Sequence, residues 1–196
     1  MNILVIKSSV FGDNGNSSAL VNTQLATLQA QHPDATVVVR DLSTDPIPHL
    51  DGERVGAFFT PADQRSEDQQ AVDAFSMALI DELKTADHIV LGLPMYNFGI
   101  PSQLKSWIDH VARAGVTFRY TENGPQGLLD DKPVTVLAAR GGLYAGTEND
   151  TVTPYIKLFF GFIGITDVNF VYAEGLNMGG ETKEKAMSEA QAALAV

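Results

Sequence analysis

The residues best suited to chemistry lie in three short stretches, each of which directly follows an apolar run. They are the polar loop 8–18, the segment P-M-Y-N-F-G-I-P at 94–101, and A-R-G-G at 139–142. Hydroxyls, amides, aromatic rings and glycines dominate these stretches, and none of them pairs an acid with a base. This composition indicates ligand binding, with a bound cofactor carrying the chemistry.

The first loop could hold a phosphate. It contains neither G-x-x-x-x-G-K-[ST] nor G-x-G-x-x-G, which argues against a P-loop nucleotide site and a Rossmann fingerprint. Ser9, Asn16, Ser17 and Ser18 offer polar groups, and the N-terminus of the following helix attracts anions through its partial positive charge. The alternative is simple N-capping by Ser17 or Ser18, worth about 1 kcal/mol. Phosphate binding is favoured over simple capping, because the loops 94–101 and 139–142 also have the composition of ligand-binding loops and are expected to face the same crevice.

The second loop could hold a planar ring. Met95, Tyr96 and Phe98 could pack against one face and edge of the ring, while Asn97 and backbone amides address its polar rim. The alternative is that these side chains close the top of the core.

The third loop could approach the other side of the same ligand. Gly141 and Gly142 let the backbone come close because they carry no Cβ, and Arg140 lies beside them. A surface or ion-pair role for Arg140 and a simple turn at the glycines are the alternatives.

Other catalytic classes are not expected. The four histidines, His32, His49, His88 and His110, are scattered without H-E-x-x-H spacing, so we expect no metal site and a surface or boundary position for each. No G-x-S-x-G is present, which argues against a serine hydrolase of the α/β type.

The composition limits the setting and the partners. The length of 196 residues fits one domain, 1–196, and the absence of cysteine makes a cytoplasmic protein the default. No signal-like start or membrane-spanning window is found. The net charge of −11 would repel nucleic acids and anionic lipid surfaces, so neither is expected as a partner.

The elements that must position the three loops alternate between strands and helices. Strands are predicted at 2–7, 36–40, 88–93, 133–139 and 167–173, and helices at about 18–31, 66–84, 100–113, 152–162 and 181–194. The pattern predicts an α/β, flavodoxin-like three-layer fold with a five-stranded parallel sheet, order 2-1-3-4-5, and helices on both faces. The three loops then meet at the carboxyl edge of the sheet.

Two segments do not fit this alternation. The connection 41–65 has three prolines and no clean period, which is typical of functional or lid-like loops. Residues 116–120 and 127–129 flank T-E-N-G-P-Q, which predicts a small hairpin over the sheet edge.

Several of these stretches together resemble a known family. K-S-S, P-M-Y-N-F followed by Q-L-K, R-G-G, and V-T-P-Y through G-F-I-G-I-T-D-V are similar to motifs of the FMN-dependent NADH azoreductases of bacteria. The most specific element is the run V-A-R-A-G-V-T-F-R-Y-T-E-N-G-P-Q-G-L at 111–128. The similarity extends over nearly the whole chain.

The resemblance implies a flavodoxin-like homodimer with one FMN per subunit at the dimer interface. The implied cofactor contacts are Ser9, Gly15, Asn16, Ser17, Met95, Tyr96, Asn97, Phe98, Ala139, Arg140, Gly141 and Gly142. Members of this family often carry a hydroxyl residue at the position of Ala139 and a more serine-rich pair at Gly15-Asn16. Backbone amides could serve at both places.

The family's reaction is a ping-pong transfer of two electrons. NADH, or NADPH, gives a hydride to flavin N5 and leaves, and the reduced flavin then passes the hydride to a quinone or azo compound. Two such rounds split an azo bond into two amines. Phe98, Tyr120 and Phe162 are the candidate aromatic walls of the substrate site, with core packing as the alternative, and no side chain is assigned as an acid or base.

Two further expectations follow from the fold and the composition. The apolar patch at 55–59 suggests dimerisation, or a lid on its own subunit. The alternative function is a flavodoxin-like carrier of single electrons that does not oxidise NADH, which the acidic surface would suit.

Overall fold

A parallel five-stranded sheet forms the centre of the chain in a computed structural model that describes residues 1–195. Its strands, numbered in chain order, are β1 (Asn2–Lys7), β2 (Thr36–Asp41), β3 (His88–Pro94), β6 (Val134–Ala139) and β7 (Val168–Ala173). The order β2-β1-β3-β6-β7 confirms the predicted order, because β4 (Phe118–Thr121) and β5 (Gly124–Gly127) form a separate hairpin.

Helices cover both faces of the sheet, as predicted. They are α1 (Asn16–Gln31), α2 (Gly52–Phe59), α3 (Glu67–Thr85), α4 (Ser102–Val111), α5 (Val152–Ile163) and α6 (Gly180–Leu194). Successive side chains of a strand point to opposite faces, and β1 shows the result. Ile3 and Val5 pack with residues of α1 and α6, whereas Leu4 and Ile6 pack with residues of α3, α4 and α5.

The prediction of five helices is wrong, because the connection 41–65 contains α2 and a 3-10 turn, Ala62–Gln64. Asp51 caps α2 by accepting the Arg54 N–H at 2.9 Å, and Ala57 is its one fully buried residue. Because α2 has only eight residues and little burial, it contains too few turns for the hydrophobic periodicity of a helix to be recognised in the sequence.

The hairpin forms, but its strands differ from those predicted. Residues 124–126, assigned to the turn from the sequence, belong to the second strand, Gly124–Gly127, which pairs antiparallel with Phe118–Thr121. A Cβ on Gly127 would lie 2.1 Å from the Gly164 nitrogen, so the hairpin crosses the end of α5 at backbone contact distance. Within residues 1–195, no helix is long and apolar enough to cross a bilayer.

Candidate cofactor-binding site

The loops that follow β1, β3 and β6 meet at the carboxyl edge of the sheet and enclose a cleft of about 170 Å³. Most of the predicted cofactor contacts line it: Ser9, Gly15, Asn16, Ser17, Met95, Tyr96, Ala139, Arg140 and Gly141. Asn97 and Phe98 line an adjoining cavity of about 230 Å³, which shares Met95 and Gly141 with the cleft. Gly142 directly follows Gly141 in the same loop.

The end of the cleft at α1 has the properties of an anion site. No side chain caps the start of α1 at Gly15, and the first N–H groups of a helix have no partner inside it. The Ser17 hydroxyl is buried and has no hydrogen-bond partner within the described chain. Because an unsatisfied buried hydroxyl costs about 1–3 kcal/mol, these groups fit the phosphate of a cofactor such as FMN.

Ser9 joins the first loop to the second. Its Oγ accepts the Phe11 N–H at 3.2 Å and shares a 3.3 Å hydrogen bond with the Tyr96 hydroxyl. A Cβ on Gly15 would lie 2.2 Å from Ser9 Oγ, so this close approach requires glycine at the start of α1. The first loop is therefore shaped by Ser9 and Gly15 together.

The second loop is a two-residue turn with an unusual backbone. Tyr96 and Gly99 exchange two backbone hydrogen bonds of 3.0 and 2.9 Å around Asn97 and Phe98. The φ angles of Asn97 and Phe98 are +49° and +60°, the left-handed values of a type I′ turn. Asparagine tolerates this region, but a phenylalanine there costs on the order of 1 kcal/mol or more. The Thr151 hydroxyl, which donates to the Phe98 carbonyl, helps to hold it.

This backbone presents the Phe98 ring to the adjoining cavity. The ring is 55% exposed and meets the Tyr144 ring edge to face, with 5.5 Å between centroids. A Cβ on Gly142 would lie 2.7 Å from the Tyr144 ring, so Gly142 leaves the space that this ring occupies. Phe98 and Tyr144 together form an aromatic pair at the mouth of the site.

The Arg140 side chain forms buried ion pairs. It is 1% exposed, and its guanidinium donates to Asp150 at 2.9 Å, to Thr153 at 2.7 Å and to Glu174 at 3.3 Å. Glu174 also accepts the Tyr144 N–H at 2.9 Å, so it fixes the loop after β6. Its backbone N–H donates to the Ala173 carbonyl at 2.9 Å, and its Nε is buried without a partner among residues 1–195.

Two carboxylates near the cleft have pKa values below their ordinary value of 3.8. The hydrogen bond and the charge of Lys7, at 2.6 Å, lower the pKa of Asp13. Burial alone would raise the pKa of Asp150, but hydrogen bonds from Arg140 and Thr153, with the charge of Arg140, hold it lower. Both carboxylates are therefore ionised at neutral pH and shape the loops as charged groups.

The loop after β7 was missed by the sequence analysis. Asn177 lines both the cleft and the adjoining cavity, and its backbone N–H donates to the Gly141 carbonyl at 3.0 Å. A Cβ on Gly141 would lie 2.5 Å from Asn177 Nδ2, so the two loops are in direct contact. The signal was available, since this loop also follows the carboxyl end of a strand.

Tyr120 and Phe162 do not line the cleft of their own chain. Tyr120 is 75% exposed on β4 and lines a separate cavity with Phe58 and Phe59. Phe162 packs against Phe118, with 4.1 Å between ring centroids. Their predicted contact with substrate therefore stays a prediction, and it requires a second subunit.

The expectation that every histidine lies at the surface or a boundary is wrong for His110. This residue is fully buried, and it meets the rings of Phe58 and Phe75 edge to face. Its Nδ1 bonds the Ser106 carbonyl at 2.8 Å, and its Nε2 has no partner among the described residues. Burial lowers its pKa, so the imidazole is neutral at pH 7.

The chain matches a known family over its full length. Residues 1–196 match the family model described as "Flavodoxin-like fold". The chain is 81% identical over 194 residues to an FMN-dependent NADH:quinone oxidoreductase of Alcanivorax borkumensis, covering 99% of this chain and 98% of that protein.

Solved structures agree with this match. An azoreductase from Bacillus anthracis strain Sterne superposes with a TM-score of 0.90 and 29% identity, covering 100% of this chain and 97% of that chain. An FMN-dependent NADH-azoreductase from Bacillus anthracis strain Ames Ancestor, solved in complex with FMN, superposes with a TM-score of 0.87 and 27% identity. The match covers 98% of this chain and 97% of that chain.

Proposed function

The chain belongs to the family of the flavodoxin-like fold, and we propose from this that it is an FMN-dependent oxidoreductase that oxidises NADH and reduces quinones. The observation that carries the proposal is the buried, unpartnered Ser17 hydroxyl at the uncapped start of α1. The relative with 81% identity, named as an FMN-dependent NADH:quinone oxidoreductase, supports the same reaction.

The side chains described above bind and orient, and none is placed to act as a general acid or base. Ser17 and the N–H groups at the start of α1 would hold the phosphate, while the turn at Tyr96–Gly99 and the Gly141 backbone would hold the ring. When bound, FMN supplies the two-electron chemistry, taking a hydride from NADH and giving it to the acceptor. Orientation in the cleft is thus the protein's main contribution to the rate.

The direct test is anaerobic mixing. Protein reconstituted with FMN should lose its yellow colour when NADH is added, and the colour should return when a quinone follows. Parallel runs with NADPH would compare the two donors. Protein that stays colourless after reconstitution, or that keeps its colour with NADH, would refute the proposal.

The proposal extends to azo compounds and to a ping-pong order of binding. Donor and acceptor must both reach one ring through the cavity beside Phe98 and Tyr144, so they would occupy it in turn. Initial rates at several acceptor concentrations should give parallel double-reciprocal lines. Intersecting lines would refute the order, and an aromatic azo dye left uncleaved would refute the wider substrate range.

A homodimer with a shared site is part of the proposal. Phe59 and Tyr120 are 77% and 75% exposed and line the same apolar cavity, which a second copy could cover. A second subunit could also bring Tyr120 and Phe162 to the cleft. Light scattering of the FMN-bound protein at micromolar concentration should give twice the chain mass; a monomeric mass would contradict the shared site.

The second candidate is a carrier of single electrons between proteins, which the net charge of −11 favours through steering to basic partners. Mixing the FMN-loaded protein with NADH under anaerobic conditions distinguishes the two functions, because a carrier would not oxidise NADH directly.

The cytoplasmic location expected from the sequence stays a prediction, which cell fractionation would check.

A further inference from the structure

The hydroxyl of Thr151, at the start of α5, does not serve its own helix. Thr151 is the N-cap residue of α5, a position where a threonine side chain ordinarily accepts an N–H from the first turn. Here the side chain makes no capping bond, and its hydroxyl donates instead to the carbonyl of Phe98, 53 residues earlier in the chain. The residue that could cap α5 is therefore bonded to the turn after β3.

The preceding residue, Asp150, supplies a capping bond in its place. Asp150 Oδ1 accepts the Thr153 N–H at 3.0 Å, and the same oxygen accepts from the Arg140 guanidinium at 2.9 Å. Two neighbouring residues at the start of α5 thus bond two loops of the proposed cofactor site. Asp150 holds the side chain that leads the loop after β6, and Thr151 holds the loop after β3.

The turn that Thr151 reaches has an unfavourable backbone. Within residues 1–195, Asn97 and Phe98 are the two non-glycine residues with a positive φ. A type I′ turn favours glycine at the second central position, which Phe98 occupies, because a Cβ is crowded in the left-handed region. Phe98 therefore keeps this conformation only while surrounding contacts hold it.

Thr151 makes the contact that fixes the backbone of this turn from outside. Among residues 1–195, its hydroxyl is the only group beyond the turn that hydrogen-bonds the backbone of Asn97 or Phe98. The two bonds between Tyr96 and Gly99 close the turn but do not involve the Phe98 carbonyl. The orientation of the Asn97 and Phe98 backbone thus depends on one hydroxyl.

Water can reach this hydrogen bond. Thr151 and Phe98 both line a cavity of about 510 Å³ that lies between the starts of α4 and α5, and Thr151 is exposed. A hydrogen bond that water can replace contributes little to the stability of the whole chain. Its effect therefore falls on the local conformation of the turn.

We propose that Thr151 is a positioning residue for the reaction at the cofactor, because it holds the turn after β3 in its left-handed conformation through the Phe98 carbonyl. Without this bond the turn would relax towards negative φ, which would move both the Asn97 backbone and the Phe98 ring. Thr151 acts through Phe98 and is not itself a catalytic residue. The inference rests on the proposed function.

Amide hydrogen exchange of the FMN-free protein tests the hold on the turn in the absence of cofactor. Thr151→Val removes the hydroxyl and keeps the shape of the side chain. It should speed exchange at the N–H groups of Tyr96 and Gly99 by about tenfold, as expected for the loss of one hydrogen bond. Exchange in the first turn of α5 and the midpoint of urea unfolding should stay unchanged, since the hydroxyl does not cap the helix.

The FMN-loaded protein tests the consequence for the cofactor. Thr151→Val should weaken FMN binding several-fold, measured by fluorescence quenching. It should also slow the bleaching of bound FMN at saturating NADH by about tenfold, because a small displacement of positioning groups is costly in rate. Thr151→Ser keeps the hydroxyl and should restore both values. Thr27→Val, which removes a hydroxyl bonded within α1, is the matched control and should behave like wild type.

The outcomes separate this inference from the proposed function. If NADH bleaches the FMN of wild type and Thr151→Val exchanges, binds and reacts as wild type does, the inference is wrong and the proposed function stands. If Thr151→Val lowers the urea midpoint and speeds exchange in α5 but not at Tyr96 and Gly99, Thr151 only stabilises its helix and the inference also fails. If NADH does not bleach the FMN of wild type, the proposed function fails, and exchange in the FMN-free protein still decides whether Thr151 holds the turn.

Discussion

Two neighbouring serines at the start of α1 show how the site is built at the scale of single residues. Ser17 and Ser18 are both fully buried, but the Ser18 hydroxyl donates to the Gly12 carbonyl at 2.7 Å and the Ser17 hydroxyl has no partner. Ser18 thus holds the loop and Ser17 is left for a ligand. The sequence alone could not separate their roles.

Ser17→Ala should weaken FMN binding by about tenfold to a hundredfold, because a hydrogen bond to a charged acceptor is worth about 1.5–3 kcal/mol. It should not destabilise the FMN-free chain, since it removes an unsatisfied group. Quenching of FMN fluorescence would give the affinity, and urea unfolding the stability.

The matched control for Ser17→Ala is Thr23→Ala on the same helix, whose hydroxyl donates to the Ala19 carbonyl at 3.2 Å. It should leave FMN affinity unchanged. Equal affinities for Ser17→Ala and wild type would remove Ser17 from the site.

At the scale of elements, Asp73 of α3 holds the segment that contains α2. Its carboxylate accepts from Arg65 at 2.6 Å and from Arg113 at 2.7 Å. Arg65 also donates to the Ala57 carbonyl at 3.2 Å, and the Arg113 guanidinium lies 3.8 Å from the centre of the Phe58 ring. Both arginines therefore connect α2 to α3 through one carboxylate.

Asp73→Ala should lower the free energy of unfolding by about 3 kcal/mol, because it leaves two largely buried cations without their partner. Amide hydrogen exchange should speed up most within α2. Asp81→Ala, an exposed site on the same helix, should change stability by less than about 0.5 kcal/mol. Equal losses in the two variants would show that Asp73 does not hold α2.

The carboxylate of Glu174 holds the loop after β6, as the carboxylate of Asp73 holds the segment that contains α2. The carboxylate accepts the N–H groups of Tyr144 and Ala145, both at 2.9 Å, and pairs with Arg140. Glu174→Ala should therefore weaken FMN binding several-fold and speed amide exchange at Tyr144 and Ala145. Glu189→Ala, at an exposed position of α6, is the control. Unchanged exchange at Tyr144 would show that other contacts fix the loop.

At the scale of the whole molecule, the buried His110 and the half-buried His88 make stability depend on pH. Burial lowers the pKa of both His88 and His110 below the ordinary value of 6.5. The unfolded chain then binds protons that the folded chain does not, so stability is complete above pH 6.5 and falls as the pH drops towards the lowered values. The slope is at most about 1.4 kcal/mol per pH unit for each histidine.

His110→Leu should reduce this slope between about pH 7 and pH 5, because the buried imidazole is gone. Urea unfolding at several pH values would measure it. His32→Leu, at an exposed position, should keep the wild-type slope. A slope that survives unchanged in His110→Leu would assign the pH dependence to other groups.

The sequence by itself determined the sheet and the position of the site. Short apolar runs such as His88–Pro94 are buried on both sides, and their alternation with amphipathic helices allows few topologies other than the observed strand order. Because carboxyl ends of parallel strands share one edge, the three loops had to meet there. The resemblance then indicated the cofactor class.

The tertiary structure alone decided how individual side chains are used. The buried ion pairs of Arg140, the burial of His110 and the attachment of α2 to Asp73 depend on partners 8 to 52 residues away along the chain. The cavity of about 510 Å³ beside Phe98 is likewise lined by residues of α4, α5 and the connection before α2. Local patterns cannot encode such contacts, because packing selects one partner among many residues of the same type.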